Sequence, residues 1–135
     1  MTFTELKSYP ALLADIKRCK EKIREIDTSY IKSPAYNSSG AAKSSTRQNS
    51  TENAYIENIS KKEEYEERIN SDQAQVERIE RYINNISDLR TKMIFEMRVY
   101  EQKTWRKIAK AFGGKNSDES VQKIYRRYVE KHPNG

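Results

Sequence analysis

Residues 104–131 read TWRKIAKAFGGKNSDESVQKIYRRYVEK, and this stretch sets the reading of the whole chain. Thr104 can cap a helix running from Trp105 to Phe112. Gly113-Gly114 ends it, because glycine just past a helix accepts the left-handed conformation. After Lys115-Asn116, Ser117 offers a second N-cap, and Glu119 or Ser120 completes the first turn of the next helix. On that helix Val121, Ile124, Tyr125 and Tyr128 share one face, while Gln122, Lys123, Arg126 and Arg127 share the other. Trp105, Ile108, Phe112, Val121 and Ile124 would form a miniature core, and Ala109 is small enough for two helices to cross closely. A short helix, a tight glycine turn and a basic helix opening on small polar residues are the pattern of a helix-turn-helix.

Working upstream, Ser87 and Asp88 cap a helix that carries Leu89, Met93, Met97 and Tyr100 on one side, joined by Ile94 and Phe95. Glu101-Gln102-Lys103 connects it to Thr104. Before it, residues 52–86 hold no breaker, and Ile69, Val76, Ile79, Ile83 and Ile86 make a helical seam that begins more weakly at Tyr55, Ile59 and Tyr65. Ser50-Thr51-Glu52 offers the N-cap of that long helix. At the front of the chain, Pro10 suits a first helical turn. Tyr9, Leu12, Ile16, Cys19, Ile23, Ile26 and Tyr30 then recur at alternating spacings of three and four, the seam of a coiled coil.

Between these helices, 28–51 changes character. Ten of its 24 residues are Ser or Thr and none is acidic, so it is read as a flexible linker with too little apolar surface to offset the entropy of ordering. The expected organisation is therefore all-α, an N-terminal helical hairpin or coiled coil with a long second helix, followed by a helix-turn-helix: a coiled-coil helix over 1–27, a linker over 28–51, a long oligomerisation helix over 52–86, a helix-turn-helix module over 87–131 and a fraying tail over 132–135. At 1.5 Å per residue the second helix would be roughly 54 Å long against roughly 26 Å for the first. A short helix cannot cover a seam twice its length, so the remainder is expected to pair with another copy of the chain, most simply as a dimer.

Composition fits this plan. Of 135 residues 35% are apolar and 34% charged, with a mean hydropathy of −1.05, which suits elongated helices with narrow seams better than one large core. No apolar run can cross a bilayer, and Met1-Thr2-Phe3-Thr4-Glu5 does not open a leader, so no membrane partner and a cytoplasmic location are expected. One cysteine and one histidine cannot form a disulfide or a His/Cys metal site, and no nucleotide loop or paired catalytic motif appears. No cofactor and no enzymatic activity are expected. Cys19 lies on a seam and is read as a buried structural thiol.

The net charge of +6 is not spread evenly. From Met1 to Ser87 the 14 basic and 14 acidic residues cancel, whereas Asp88 to Gly135 holds 12 basic against 6 acidic. An excess concentrated in the last third attracts a polyanion through counterion release, which points to double-stranded DNA. The helix beginning at Ser117 is the element expected in the major groove, with Ser117 and nearby backbone N–H groups on a phosphate. Asn116, Glu119, Ser120, Gln122 and Lys123 are the candidates for base edges. Arg106, Lys107, Lys110, Arg126 and Arg127 have long side chains with no fixed partner and suit phosphate, and Lys115 completes the candidate DNA-binding set.

These residues also carry a resemblance. Leu89-x3-Met93, Tyr100, Thr104-Trp105-x2-Ile108-Ala109-x2-Phe112-Gly113 and Ser117-x3-Val121-x2-Ile124 resemble region 4 of bacterial sigma factors, over about a third of the chain. The turn from Gly113 to Asp118 is one or two residues longer than the usual sigma turn, and Asp118 and Glu119 place acid where the reading helix starts. With its Tyr9-Pro10, Ser/Thr-rich insert and long amphipathic helix, the whole chain is similar in plan to the RinA and ArpU groups, late-gene transcriptional activators of phages of low-GC Gram-positive bacteria. The resemblance implies a phage-encoded activator working with host RNA polymerase inside the bacterial host. Two other readings stand beside it. One is a small terminase subunit recognising packaging sites, which would form rings. The other is an interaction protein occupying a host factor without reading DNA.

Overall fold

The computed structural model describes residues 1–37 and 45–134, and every described regular element is a helix. In order these are α1 (Phe3–Lys7), α2 (Tyr9–Asn37), α3 (Ser45–Asn84), α4 (Leu89–Phe95), which runs on as a π-helical turn over Glu96–Tyr100, α5 (Trp105–Ala111) and α6 (Asp118–Lys131). Among the described residues no helix is long and apolar enough to cross a membrane. The chain divides into two compact units, one of Met1–Leu13 with the chain from Ala74 onward, the other of Ala14–Gln73.

The caps explain several boundaries. Thr2 begins α1 with a reciprocal cap: its hydroxyl accepts from Glu5 N at 3.1 Å, and Glu5 Oε2 accepts from Thr2 N at 2.9 Å. Asp88, Thr104 and Ser117 cap α4, α5 and α6 as their side-chain types require. Gly113 closes α5 with φ +95°, the left-handed conformation expected of it.

In the unit that holds α4 to α6, Ile83, Ile94, Phe95, Ile108 and Val121 are wholly buried. Of the expected miniature core Ile108 and Val121 are therefore buried, whereas Trp105, Phe112 and Ile124 are half-buried, and the centre is an aromatic cluster. The Phe95 ring lies 4.6 Å from Tyr125 and 5.4 Å from Tyr128, edge-on to the latter. Trp105 meets Tyr125 edge-on at 5.1 Å, and Phe3 of α1 adds a ring 5.7 Å from Tyr125. Such offset and edge-to-face pairs add about 0.5–1.5 kcal/mol each beyond the area they bury. Tyr82 of α3 donates its hydroxyl to the His132 carbonyl at 2.7 Å, and His132 stacks on Tyr128 at 4.2 Å. The Met1 amino group donates to the Pro133 carbonyl, so the segment expected to fray is tied down as far as Pro133.

In the other unit, Asp15 of α2 takes a two-pronged salt bridge from Arg68 of α3, at 2.6 and 2.8 Å. Asp27, farther along α2, pairs with Lys62, earlier on α3, at 3.0 Å. The two helices therefore run antiparallel here, compatible with the expected coiled-coil hairpin. Ile16, Cys19 and Ile69 are buried on the facing sides, while Ile23 and Ile26 are half-buried; the Tyr30 side chain lies outside those described. Asp72 occupies a seam position between Ile69 and Val76, 8% exposed, and its Oδ2 has no hydrogen-bond partner among the described residues. Burial, then a hydrogen bond with Asp15, raises the Asp72 carboxyl above its ordinary range. The same hydrogen bond, then Arg68, lowers Asp15.

Three expectations change. α2 continues to Asn37 and α3 starts at Ser45, so the 28–51 linker is helical at both ends; 38–44 lie outside the described residues. Thr28 and Ser29 donate their hydroxyls back to the Arg24 and Ile26 carbonyls, which lets polar residues continue a helix already begun. No Pro or Gly stands between Ser45 and Thr51 to delay α3. The helices span 29 and 40 residues, so the length mismatch that argued for oligomerisation is smaller than expected. Finally, Leu89 and Met93 are exposed, at 70% and 38%, and α4 buries Thr91, Ile94 and Phe95 instead. The π-helical turn that follows, closed by Glu101 N donating to Glu96 O at 3.1 Å, changes the register before Met97 and Val99 are buried.

Candidate nucleic-acid interface

Two caps and a brace position the basic surface. Ser117 Oγ accepts from Ser120 N at 3.2 Å, and Ser120 Oγ accepts from Ser117 N at 3.1 Å while donating to Ser117 O at 2.8 Å. The hydroxyl of Ser120 is thereby spent inside the cap. Asn116 is also engaged: its Nδ2 donates to the Phe112 carbonyl at 3.1 Å, and its Oδ1 accepts from Arg90. The Arg90 guanidinium lies 5.7 Å from the centre of the Phe112 ring, so one α4 side chain ties down both ends of the connection between α5 and α6. Of the base-edge candidates, Asn116 and Ser120 shape the turn, while Glu119 and Lys123 are exposed and Gln122 is half-buried.

At 100° per residue, Glu119, Lys123, Arg126, Arg127 and Glu130 project from the side of α6 opposite Val121, Tyr125 and Val129, which are buried. Arg106, Lys107 and Lys110 are exposed on α5, and Lys115 is exposed in the connection. These seven cations have no carboxylate within 4.0 Å among the described residues. A native surface usually disperses its charges among partners of opposite sign, and seven unneutralised cations on two adjoining helices and their connection produce a sustained positive field. Glu119 and Glu130 are the acidic exceptions on the outer face of α6.

Trp105, Tyr125 and Tyr128 belong to packing rather than to a stacking platform for bases. Tyr125 is 8% exposed and its phenol is pushed up to about 12 by burial, with Arg98 pulling the other way. Trp105 is half-buried, with the Arg98 guanidinium 4.5 Å above its ring. Arg90 and Arg98 contribute to this region but were not in the candidate set; beyond their place in the basic last third, no motif in the sequence marks them. Among the described residues no group of His, Cys, Asp and Glu could hold a metal ion.

The described elements define an all-helical protein in which a short helix, a six-residue connection over 112–117 and a longer basic helix follow one another, an arrangement compatible with a helix-turn-helix. No protein-family model matches the chain, and no curated protein or solved structure matches it.

Proposed function

We propose that this chain is a sequence-specific double-stranded DNA-binding transcriptional regulator that reads the major groove with α6. It acts as a phage late-gene activator of the RinA/ArpU type together with host RNA polymerase, through a sigma region 4-like helix-turn-helix. The observation that carries this reading is the set of seven exposed cations on α5, the connection and α6, without a carboxylate partner among the described residues and arranged around a serine-capped helix start. Arg106, Lys107, Lys110, Lys115, Arg126 and Arg127 take phosphates, and the α6 N-terminus takes another through its free N–H groups. Lys123, Glu119 and Gln122 read base edges, with Lys suited to guanine and Glu to the cytosine amine. Asn116 and Ser120 act indirectly, by fixing the pitch at which α6 leaves the turn.

Two reading heads follow from self-association. Ile56 and Ile59 of α3 are 63% and 38% exposed, apolar side chains that a second copy of the chain would cover, and a dimer would select a repeated or palindromic site. The test is selection from a random duplex pool with the full chain, followed by light scattering of the complex. Enrichment of a repeated motif bound by a dimer is expected. Rings of eight or more subunits would overturn the activator reading in favour of a terminase-like role, and a pool with no enriched sequence would overturn sequence-specific binding.

A further inference from the structure

A cleft of about 440 Å³ opens in the unit that holds α1 and α4 to α6. Its aromatic walls are Phe3, Trp105 and Tyr125, and three cations reach it from three elements: Lys7 of α1, Arg98 of the π-helical turn and Arg126 of α6. No carboxylate lines it, and none of the three cations has a carboxylate within 4.0 Å among the described residues. The volume is that of a small-molecule site, which is typically apolar with a few converging polar groups. Apolar walls ringed by uncompensated positive charge call for an occupant with a flat apolar body and a negative end.

Two departures from regular backbone meet at this cleft. Gln102, one of its lining residues, has φ +55°, a left-handed conformation that costs a residue with a Cβ roughly 1 kcal/mol. Arg98 and Val99, also lining it, sit in the π-helical turn, a form found mostly as single turns inside α-helices and frequently at functional sites. The result is a guanidinium fixed in advance: Arg98 Nη1 donates to the Lys103 carbonyl at 3.1 Å and the group lies over Trp105. A guanidinium has five N–H donors in a planar fork, so most remain for a ligand.

We infer that this cleft binds a small organic anion, its apolar or aromatic body between Phe3, Trp105 and Tyr125 and its carboxylate, sulfonate or phosphate on Arg98 with Lys7 and Arg126. Gln122 and Arg126 belong to both the cleft and α6, so occupancy changes the charge α6 presents; that consequence, unlike the binding itself, rests on the DNA reading above.

Trp105 is the single tryptophan of the chain, so its fluorescence reports on the cleft directly. The full chain, without DNA, is titrated with 8-anilinonaphthalene-1-sulfonate and separately with its uncharged counterpart N-phenyl-1-naphthylamine. Saturable one-to-one quenching of Trp105 by the sulfonate is expected, with the uncharged probe about tenfold weaker, the factor that one charge-assisted contact of about 1.4 kcal/mol supplies. Arg98→Gln should weaken the sulfonate about tenfold. Lys7→Glu, at an exposed position of α1 where folding is not at stake, should weaken it several-fold. Equal affinity for the two probes, or sulfonate binding unchanged by Lys7→Glu, overturns the inference. Because DNA is absent, failure here leaves the DNA reading standing, and failure of DNA binding leaves this result standing.

Discussion

Replacing Asp72 with Leu should stabilise the protein. The side chain sits at a seam position, 8% exposed, with Oδ2 lacking a hydrogen-bond partner among the described residues. Leaving a buried polar group unsatisfied costs about 1–3 kcal/mol, and replacing it by an apolar group of the same shape removes that cost. Leu has the same branched heavy-atom skeleton as Asp, so the seam between Ile69 and Val76 needs little repacking. Asp15 keeps its two-pronged bond from Arg68 in the variant. A gain of about 1–3 kcal/mol at neutral pH is expected, read as a higher urea midpoint with an unchanged slope in far-UV circular dichroism. The pH dependence provides a second check. The Asp72 carboxyl is raised in the folded state, so its contribution is largest below its ordinary value of 3.8 and is lost as pH rises through the folded value. The advantage of the variant should therefore shrink on acidification, as the native carboxyl becomes neutral. A variant less stable than the native chain at neutral pH, or one whose advantage does not change with pH, would refute the reasoning.

Three further outcomes follow from the packing. Phe95→Ala removes a wholly buried ring at the centre of the aromatic cluster and should cost about 3–5 kcal/mol, measured by urea denaturation. Gly113→Ala meets no atom within 4 Å, so its penalty comes from the backbone at φ +95° and should be about 1–2 kcal/mol, a fall in Tm of several degrees. In alkaline titration followed by phenolate absorbance, Tyr82, Tyr100 and Tyr125 should ionise near 12 rather than 10 because burial disfavours the charged form. Their raised values keep full stability below pH 10 and lose it as the pH rises through 12, so unfolding and late ionisation should coincide.

Local chemistry was legible in the sequence where a single side chain decides a backbone event. Asp88, Thr104 and Ser117 have the short acceptors that a helix start needs, and Gly113 has the freedom its φ requires. The same logic was available at Thr2-x-x-Glu5, whose reciprocal cap begins α1 ahead of Pro10 as a short helix of its own, where one coiled-coil helix over 1–27 was expected. Seam positions such as Ile79, Ile83 and Ile86 were legible because burial follows period. The gap in that period at Asp72 was the one available sign of a buried acid. The α4 face was not legible: Leu89 and Met93 fit a regular stripe, and the π-helical turn that displaces it leaves no mark in composition. For the candidate interface, the exposed cations could be named from charge and helical position. Ser120 was legible as a first-turn partner of the Ser117 cap, but Asn116 could not be assigned to the turn, because that requires knowing where Arg90 and Phe112 sit.

The central claim is that the cations of α5 and α6 bind DNA phosphate. Its most direct test is fluorescence anisotropy of a labelled duplex titrated with the native chain, Lys107→Gln and Arg127→Gln across a series of salt concentrations. Each variant should reduce the slope of log affinity against log salt by about one while weakening all sequences alike. Native-like slopes in both variants, or a native chain that leaves the duplex unbound at low salt, would contradict the account.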